Sequence, residues 1–271
     1  GSQFTATTAA FGNDLATLPD YPAEIRAPAG TLPGVSGFQI QFSSQDIHTP
    51  GDRPDVLVVF NPAALRVHLA DLVPHGILII DTSLFDKGHL RKAGFETNPL
   101  EDGSLSKYRV FAENISERTV AALKEVTATS REKVRCKNFY ALGMTYWLFN
   151  RPLEATVRWI REKFKKQDIA DCSVMALKAG YAFCEMTDVF QAVAYEVPPA
   201  PSVPGTYRNI SGNQALALGL IAASVRSGRP LFYGAYPITP ASDILHELAM
   251  HKNFGVITFQ AEDEIAAVTA T

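Results

Sequence analysis

An α/β architecture with parallel sheets is what this sequence predicts, and three observations carry the prediction. Two short apolar, β-branched runs, "PDVLVVF" at 54–60 and "HGILIIDTS" at 75–83, lack any polar alternation. Strands covered on both faces read this way, whereas a half-solvated strand alternates. Between them lies a helical segment, "NPAALRVHLADL" at 61–72, with Pro62 suited to a first helical turn. Third, the same order returns near the other end: "RPLFYGAY", "PASDILHELAMHK", "GVITFQ" and "EDEIAAVTAT" read as strand, helix, strand, helix. Strand–helix–strand units place their strands side by side and parallel, with a right-handed crossover.

The remaining elements follow in order. "GSQFTATTAAFGND" opens as though already inside a helix, and "QAEDEIAAVTAT" stops within one, so the chain is expected to continue beyond both ends. "FQIQFS" at 38–43 alternates, as a half-exposed strand does. From Asn138 the pattern turns helical, in "NFYALGMTYWLF", "PLEATVRWIREKF" and "IADCSVMALKAGYAFCEM", with Pro152 at the start of the second. Aromatic residues recur there at three- and four-residue spacings, the signature of a packed core face. Four prolines between Pro198 and Pro204 then exclude a helix interior or a central strand. This marks an extended linker at 197–209 between a domain at 1–196 and a second at 210–271. Ser211 and Gln214 stand at capping-box spacing before the Ala-rich helix "SGNQALALGLIAASVR".

Composition narrows the function classes. The 271 residues are 46% hydrophobic and 20% charged, with a formal net charge of −3. That balance suggests neither nucleic acid nor an anionic membrane as a partner. No uninterrupted apolar run reaches the length of a membrane span. Lys163, Lys165 and Lys166 flank Phe164 and read as a solvated helix face. The three cysteines, Cys136, Cys172 and Cys184, form no CxxC pair and so offer no metal or iron–sulfur ligand set. Free thiols in a reducing compartment fit them. "HELAMH" at 246–251 sets its histidines about 140° apart around a helix, against the one-face spacing that zinc needs.

Chemistry concentrates in "FYGAYPITPASDI", residues 232–244. Pro237 stiffens the strand exit, Pro240 suits the first helical position, and Thr239 then falls at the N-cap. A helix N-terminus favours a carboxylate or phosphate, although the same turn also serves a fold with no ligand. "GVITFQAEDE" brings Glu262 to the carboxyl edge of the next parallel strand, where open α/β sheets bind ligands. Glu262 equally suits a first-turn acid that favours the helix dipole, and Asp263 and Glu264 read as such acids.

"YPITPASDI" followed by "FQAEDEIAA" resembles the pyrimidine-binding domain of the 2-oxoacid:ferredoxin oxidoreductases, which use thiamine diphosphate. "FGNDLATLPDYPAEIRAPAGTLPGVSGFQIQ" and "DRPDVLVVFNPAALRVHL" look like their gamma domain. The order gamma then alpha is similar to the large subunit of two-subunit 2-oxoglutarate:ferredoxin oxidoreductases. The resemblance implies coenzyme A-dependent oxidative decarboxylation of 2-oxoglutarate to succinyl-CoA, with ferredoxin as acceptor, in the cytoplasm. Pyruvate and branched-chain oxoacids are rival substrates, and a non-catalytic α/β ligand-binding subunit is a rival class.

By that resemblance Tyr236, Pro237, Ile238, Thr239 and Pro240 form the substrate and cofactor motif, with Thr239 facing the oxoacid carboxylate. Glu262 matches the glutamate that hydrogen-bonds the aminopyrimidine and favours the tautomer that takes the C2 proton. No metal is expected on this chain. Mg2+, the diphosphate site and a [4Fe-4S] cluster are expected on a small beta partner subunit. Glu24 and Arg26, beside "APAGTLPG", are candidates for coenzyme A contact or active-site closure. Arg26 suits a phosphate or carboxylate, or equally pairing with Glu24 or Asp20.

Overall fold

A computed structural model describes residues 1–20, 32, 35–187, 190 and 195–271. Contacts divide the chain into two compact units, Gly1–Val203 and Pro204–Thr271.

The first unit opens with helix α1 (Ser2–Phe11) and an antiparallel ribbon of β1 (Asp14–Asp20) and β2 (Gly37–Ser43), paired from Asp14↔Ser43 to Asp20↔Gly37. Sequence reasoning finds β2 but not β1. "DLATLPD" contains a proline and little β-branching, and its pairing with β2 holds it extended where propensity does not.

β3 (Val56–Val59), α2 (Pro62–His68) and β4 (Ile77–Asp81) make the expected unit, and β3 and β4 pair in parallel. Asn61 caps α2 by accepting from the Ala64 N–H at 2.8 Å, with Pro62 in the first turn. After α3 (Lys87–Lys92), β5 (Arg109–Glu113) joins β4 in parallel and gives the order β3-β4-β5. All five residues of β4 are buried, which explains its lack of alternation. Ile77 and Ile79 pack on one side with Ile115, Met144 and Leu148. Leu78 and Ile80 pack on the other with Leu65 and Leu72. The sheet is therefore covered on both faces.

Helices α4 (Ile115–Ala122), α5 (Ser130–Arg135), α6 (Lys137–Leu148), α7 (Glu154–Lys163) and α8 (Gln167–Thr187) complete the unit. Pro152 lies outside α7, because Leu153 is its N-cap and the helix begins at Glu154, later than the proline suggested. α6 and α8 cross at two glycines. A Cβ on Gly143 would strike the Leu177 carbonyl oxygen, and one on Gly180 would strike that of Tyr140.

A buried cation ties the unit's ends together. Arg151 is 1% exposed, and its Nη2 donates to the Asn13 Oδ1. The guanidinium lies 4.2 Å from the Phe11 ring centroid and 5.2 Å from that of Phe42. Burial pushes its pKa down. Asn13 Nδ2 then donates to the Pro198 carbonyl at 2.7 Å, and the Ala200 N–H donates to the Gly12 carbonyl at 2.9 Å. The Pro-rich stretch forms neither helix nor strand, and its first residues lie within the first unit.

The second unit holds α9 (Gly212–Ser227), β6 (Phe232–Ala235), α10 (Ser242–Met250), β7 (Ile257–Gln260) and α11 (Glu264–Ala270). β6 and β7 pair in parallel from Phe232↔Ile257 to Ala235↔Gln260. Ala217 and Ile221 of α9 pack with Leu248 of α10 and with Val256, just before β7.

Two outcomes follow from this packing. Gly180→Ala forces α6 and α8 apart against backbone, so chemical denaturation of the purified chain should show a loss of about 3 kcal/mol. An unchanged denaturation midpoint would mean that the helices do not cross this closely. The cysteines are free and buried, and burial pushes Cys136 up to about 11 and Cys184 up to about 12. A thiol pKa raised by folding stabilises the fold below the unfolded value of 9.0, and that contribution is lost as pH rises toward 11 and 12. The native chain at pH 8 should therefore resist a disulfide reagent until it is unfolded. Rapid native modification of Cys184 would contradict its burial.

Candidate functional site

The site is built where β6 and β7 end. Because the strands are parallel, both chains leave the sheet at one edge, and the ladder closes with the Ala261 N–H donating to the Ala235 carbonyl at 2.9 Å. Tyr236, half-buried, begins the exit from β6, followed by the exposed Pro237, Ile238, Thr239 and Pro240. Glu262 begins the exit from β7, two residues past Gln260, and is exposed. The predicted motif and the predicted carboxylate thus share one carboxyl edge.

Two details correct the sequence reading. Thr239 is not the N-cap of α10. The Ser242 N–H donates to the Ile238 carbonyl at 2.9 Å, and this added turn moves the cap to Ala241, which has no side-chain cap bond. The Thr239–Pro240 peptide is cis. The Thr239 hydroxyl makes no hydrogen bond within the described residues, and the residue is exposed. Asp263, in turn, is the N-cap of α11 and not a first-turn acid. Its backbone is extended (φ −148°), and its Oδ1 accepts from the Ala266 N–H at 2.7 Å. Glu264 does lie in the first turn. Capping by Asp263 leaves Glu262 just outside the helix, with no hydrogen bond or ion pair among the described residues.

A short strand exit on each side therefore presents one hydroxyl and one carboxylate, neither occupied by the fold. That donor set fits the pyrimidine end of thiamine diphosphate, which needs a carboxylate at a ring nitrogen. Glu24 and Arg26 lie outside the described residues.

Sequence reasoning missed one participant in this unit. Asn213, in the first turn of α9, donates from Nδ2 to the Pro240 carbonyl at 3.0 Å. The predicted capping box beside it is present: the Gln214 N–H donates to Ser211 Oγ at 3.2 Å and the Ser211 N–H to Gln214 Oε1 at 3.4 Å. Only the capping pattern was visible in one dimension, because the partner of Asn213 lies 27 residues away.

The first unit has its own polar cluster at the carboxyl end of its sheet, also unread in the sequence. Asp81, fully buried, accepts from Lys137 Nζ at 3.0 Å, from Ser116 Oγ at 3.0 Å and from the Ser83 N–H at 3.2 Å. Burial alone would raise its pKa. The Lys137 hydrogen bond and charge, with the Ser83 amide, outweigh burial and hold the carboxyl below its ordinary range. This is a satisfied pair that fastens β4 to α4 and α6.

Known proteins resemble the chain over its whole length. Residues 1–183 match the family model described as pyruvate ferredoxin/flavodoxin oxidoreductase. Residues 223–271 match the model described as its thiamine diP-binding domain. Over all 271 residues the chain is 54% identical to the 2-oxoglutarate oxidoreductase subunit KorA of Mycobacterium tuberculosis, covering 41% of that protein. It is 42% identical over 62 residues, or 22% of its length, to the 2-oxoglutarate synthase subunit KorA of Archaeoglobus fulgidus, covering 16% of that protein. A solved structure of 2-oxoglutarate:ferredoxin oxidoreductase from Magnetococcus marinus, with 2-oxoglutarate, coenzyme A and succinyl-CoA bound, matches 99% of the chain and 41% of its own length. That match has a TM-score of 0.65 at 25% identity. The chain thus spans less than half the length of these relatives. A family model covering two thirds of the sequence makes the conclusion plain: the chain belongs to the pyruvate ferredoxin/flavodoxin oxidoreductase family.

Proposed function

We propose that this chain is part of an enzyme that oxidatively decarboxylates 2-oxoglutarate with coenzyme A. The products are succinyl-CoA, CO2, one proton and two electrons, and the electrons pass singly to ferredoxin. One observation carries the proposal: exposed, unpartnered Thr239 and Glu262 leave adjacent parallel strands at the same edge. The 54% identity to the mycobacterial 2-oxoglutarate oxidoreductase subunit supports the choice of substrate.

Each residue has a role in this reading. Glu262 accepts from, and shares a proton with, a ring nitrogen of the bound pyrimidine. Thr239 donates its hydroxyl to the oxoacid carboxylate and so orients the carbonyl carbon. Pro237 and Pro240 hold the intervening backbone with few freely rotating bonds. Thiamine diphosphate, when bound, supplies the carbon nucleophile and accepts the electron pair left by CO2. The diphosphate and Mg2+ site and the [4Fe-4S] cluster are assigned to a beta subunit, and Glu24 and Arg26 to coenzyme A contact or closure. A cytoplasmic location is part of the same proposal. Separately, no helix among the described residues is long and apolar enough to cross a membrane.

The test is anaerobic reduction of a low-potential viologen by the full-length chain with its partner subunit. 2-Oxoglutarate, pyruvate and 2-oxoisovalerate are supplied in turn, with and without coenzyme A. Reduction should require coenzyme A and prefer 2-oxoglutarate. Glu262→Gln should lose at least about a hundredfold in turnover, the scale of a lost acid–base group. Thr239→Val should lose about tenfold in kcat/KM for the oxoacid with thiamine diphosphate affinity unchanged. Wild-type turnover by Glu262→Gln would overturn the reading. A loaded complex that reduces no dye with any oxoacid would point instead to a ligand-binding subunit.

A further inference from the structure

The turn that carries Thr239 is poorly supplied with its own anchors. Pro237 and Pro240 have no N–H, so half of residues 237–240 cannot donate from the backbone. What remains is held through carbonyls. The Ile238 carbonyl accepts from the Ser242 N–H at 2.9 Å within the same turn. The Pro240 carbonyl accepts from the Asp243 N–H at 3.4 Å and from Asn213 Nδ2 at 3.0 Å. Among the described residues, Asn213 is the one side chain from another element that hydrogen-bonds residues 236–241.

The helix turn that supplies this donor is itself fixed. Ser211 and Gln214 close the capping box around Asn213. Gln214 Nε2 also reaches Glu247 Oε2 on α10 at 3.4 Å, and Glu247 Oε1 lies 3.4 Å from His251 Nε2. One turn of α9 thus grips both the loop at Pro240 and the helix that follows it. We propose that Asn213 is a positioning residue: by holding the carbonyl next to Thr239 it sets where the Thr239 hydroxyl stands at the edge of β6 and β7. The link to catalysis rests on the role proposed above for Thr239, while the positioning itself stands on the geometry.

Asn213→Asp separates this role from a merely structural one. The change is nearly isosteric and removes the donor. An acid at the second position of a helix interacts favourably with the dipole, so Tm should not fall. If Asn213 only stabilised α9, the variant would behave as wild type. We expect instead that hydrogen exchange in the fragment 236–245 quickens about tenfold, as for one lost hydrogen bond. In the full-length protein with its partner subunit, kcat/KM for 2-oxoglutarate should fall at least about tenfold through misplacement of the hydroxyl. Thiamine diphosphate affinity should stay within about twofold. Unchanged exchange in 236–245 overturns the positioning whatever the activity does. Faster exchange with wild-type kcat/KM overturns its link to catalysis. Glu262→Gln assayed alongside reports separately on the parent reading: if that variant is fully active, the proposed function fails and Asn213 is judged on exchange alone.

Discussion

The candidate site depends on one constraint, the parallel pairing of β6 with β7. Four residues from each strand make that ladder. Were the pairing antiparallel, Glu262 would leave the sheet at the edge opposite Thr239, and no single crevice would contain both. Gly234 helps to fix the arrangement on the α11 side. A Cβ there would come within 3.0 Å of the Ala267 carbonyl oxygen, so α11 packs closer to the strand than any other residue would comfortably allow. Close packing of α11 sets the turn between β7 and the helix, and Asp263 closes that turn by capping.

The same economy of contacts explains why the two reactive groups are available. A threonine at an N-cap and a glutamate in a first turn would both be occupied by helix amides or the helix dipole. Here the extra turn at Ile238–Ser242 leaves α10 without a side-chain cap, and Asp263 takes the capping position on α11. Each substitution of role frees the neighbouring side chain. The arrangement gives up about 1 kcal/mol of cap stabilisation at α10 and leaves the Thr239 hydroxyl free of the fold.

Much of this was legible in the sequence, for identifiable reasons. β4 could be read because burial on both faces demands an unbroken apolar run, and "ILIID" has one. The cap of α9 could be read because Ser211 and Gln214 are local, three residues apart. β1 could not be read, because its extended form comes from pairing with β2 and not from its own residues. β5 is marked by little except its neighbour: "RVFAE" has charged ends, and only Val110 and Phe111 between them favour a strand. The Thr239 cap was misplaced because proline at a first helical turn is a statistical preference, and an Ile238–Ser242 bond leaves no trace in residue types. Asn213, Arg151 and Asp81 share a further obstacle, since each acts through a partner far along the chain.

Exposure of the two site residues bears on how the chemistry would work. A carboxylate directs a proton to one ring nitrogen only where water does not compete, because charge interactions strengthen as solvent is excluded. Within the second unit, Glu262 and Thr239 both face solvent. The buried apolar cluster of that unit, Ala217, Ile221, Leu248 and Val256, includes neither of them. Under the proposed function, then, the residues described here supply direction and identity, a carboxylate and a hydroxyl at one sheet edge, but not dryness. Dryness must come from whatever closes over that edge. The two groups therefore differ in kind. A hydrogen bond from Thr239 to a charged oxoacid carboxylate is strong even when partly wet. The proton shared by Glu262 depends on closure, so its contribution should be the one that scales with how completely the site is sealed.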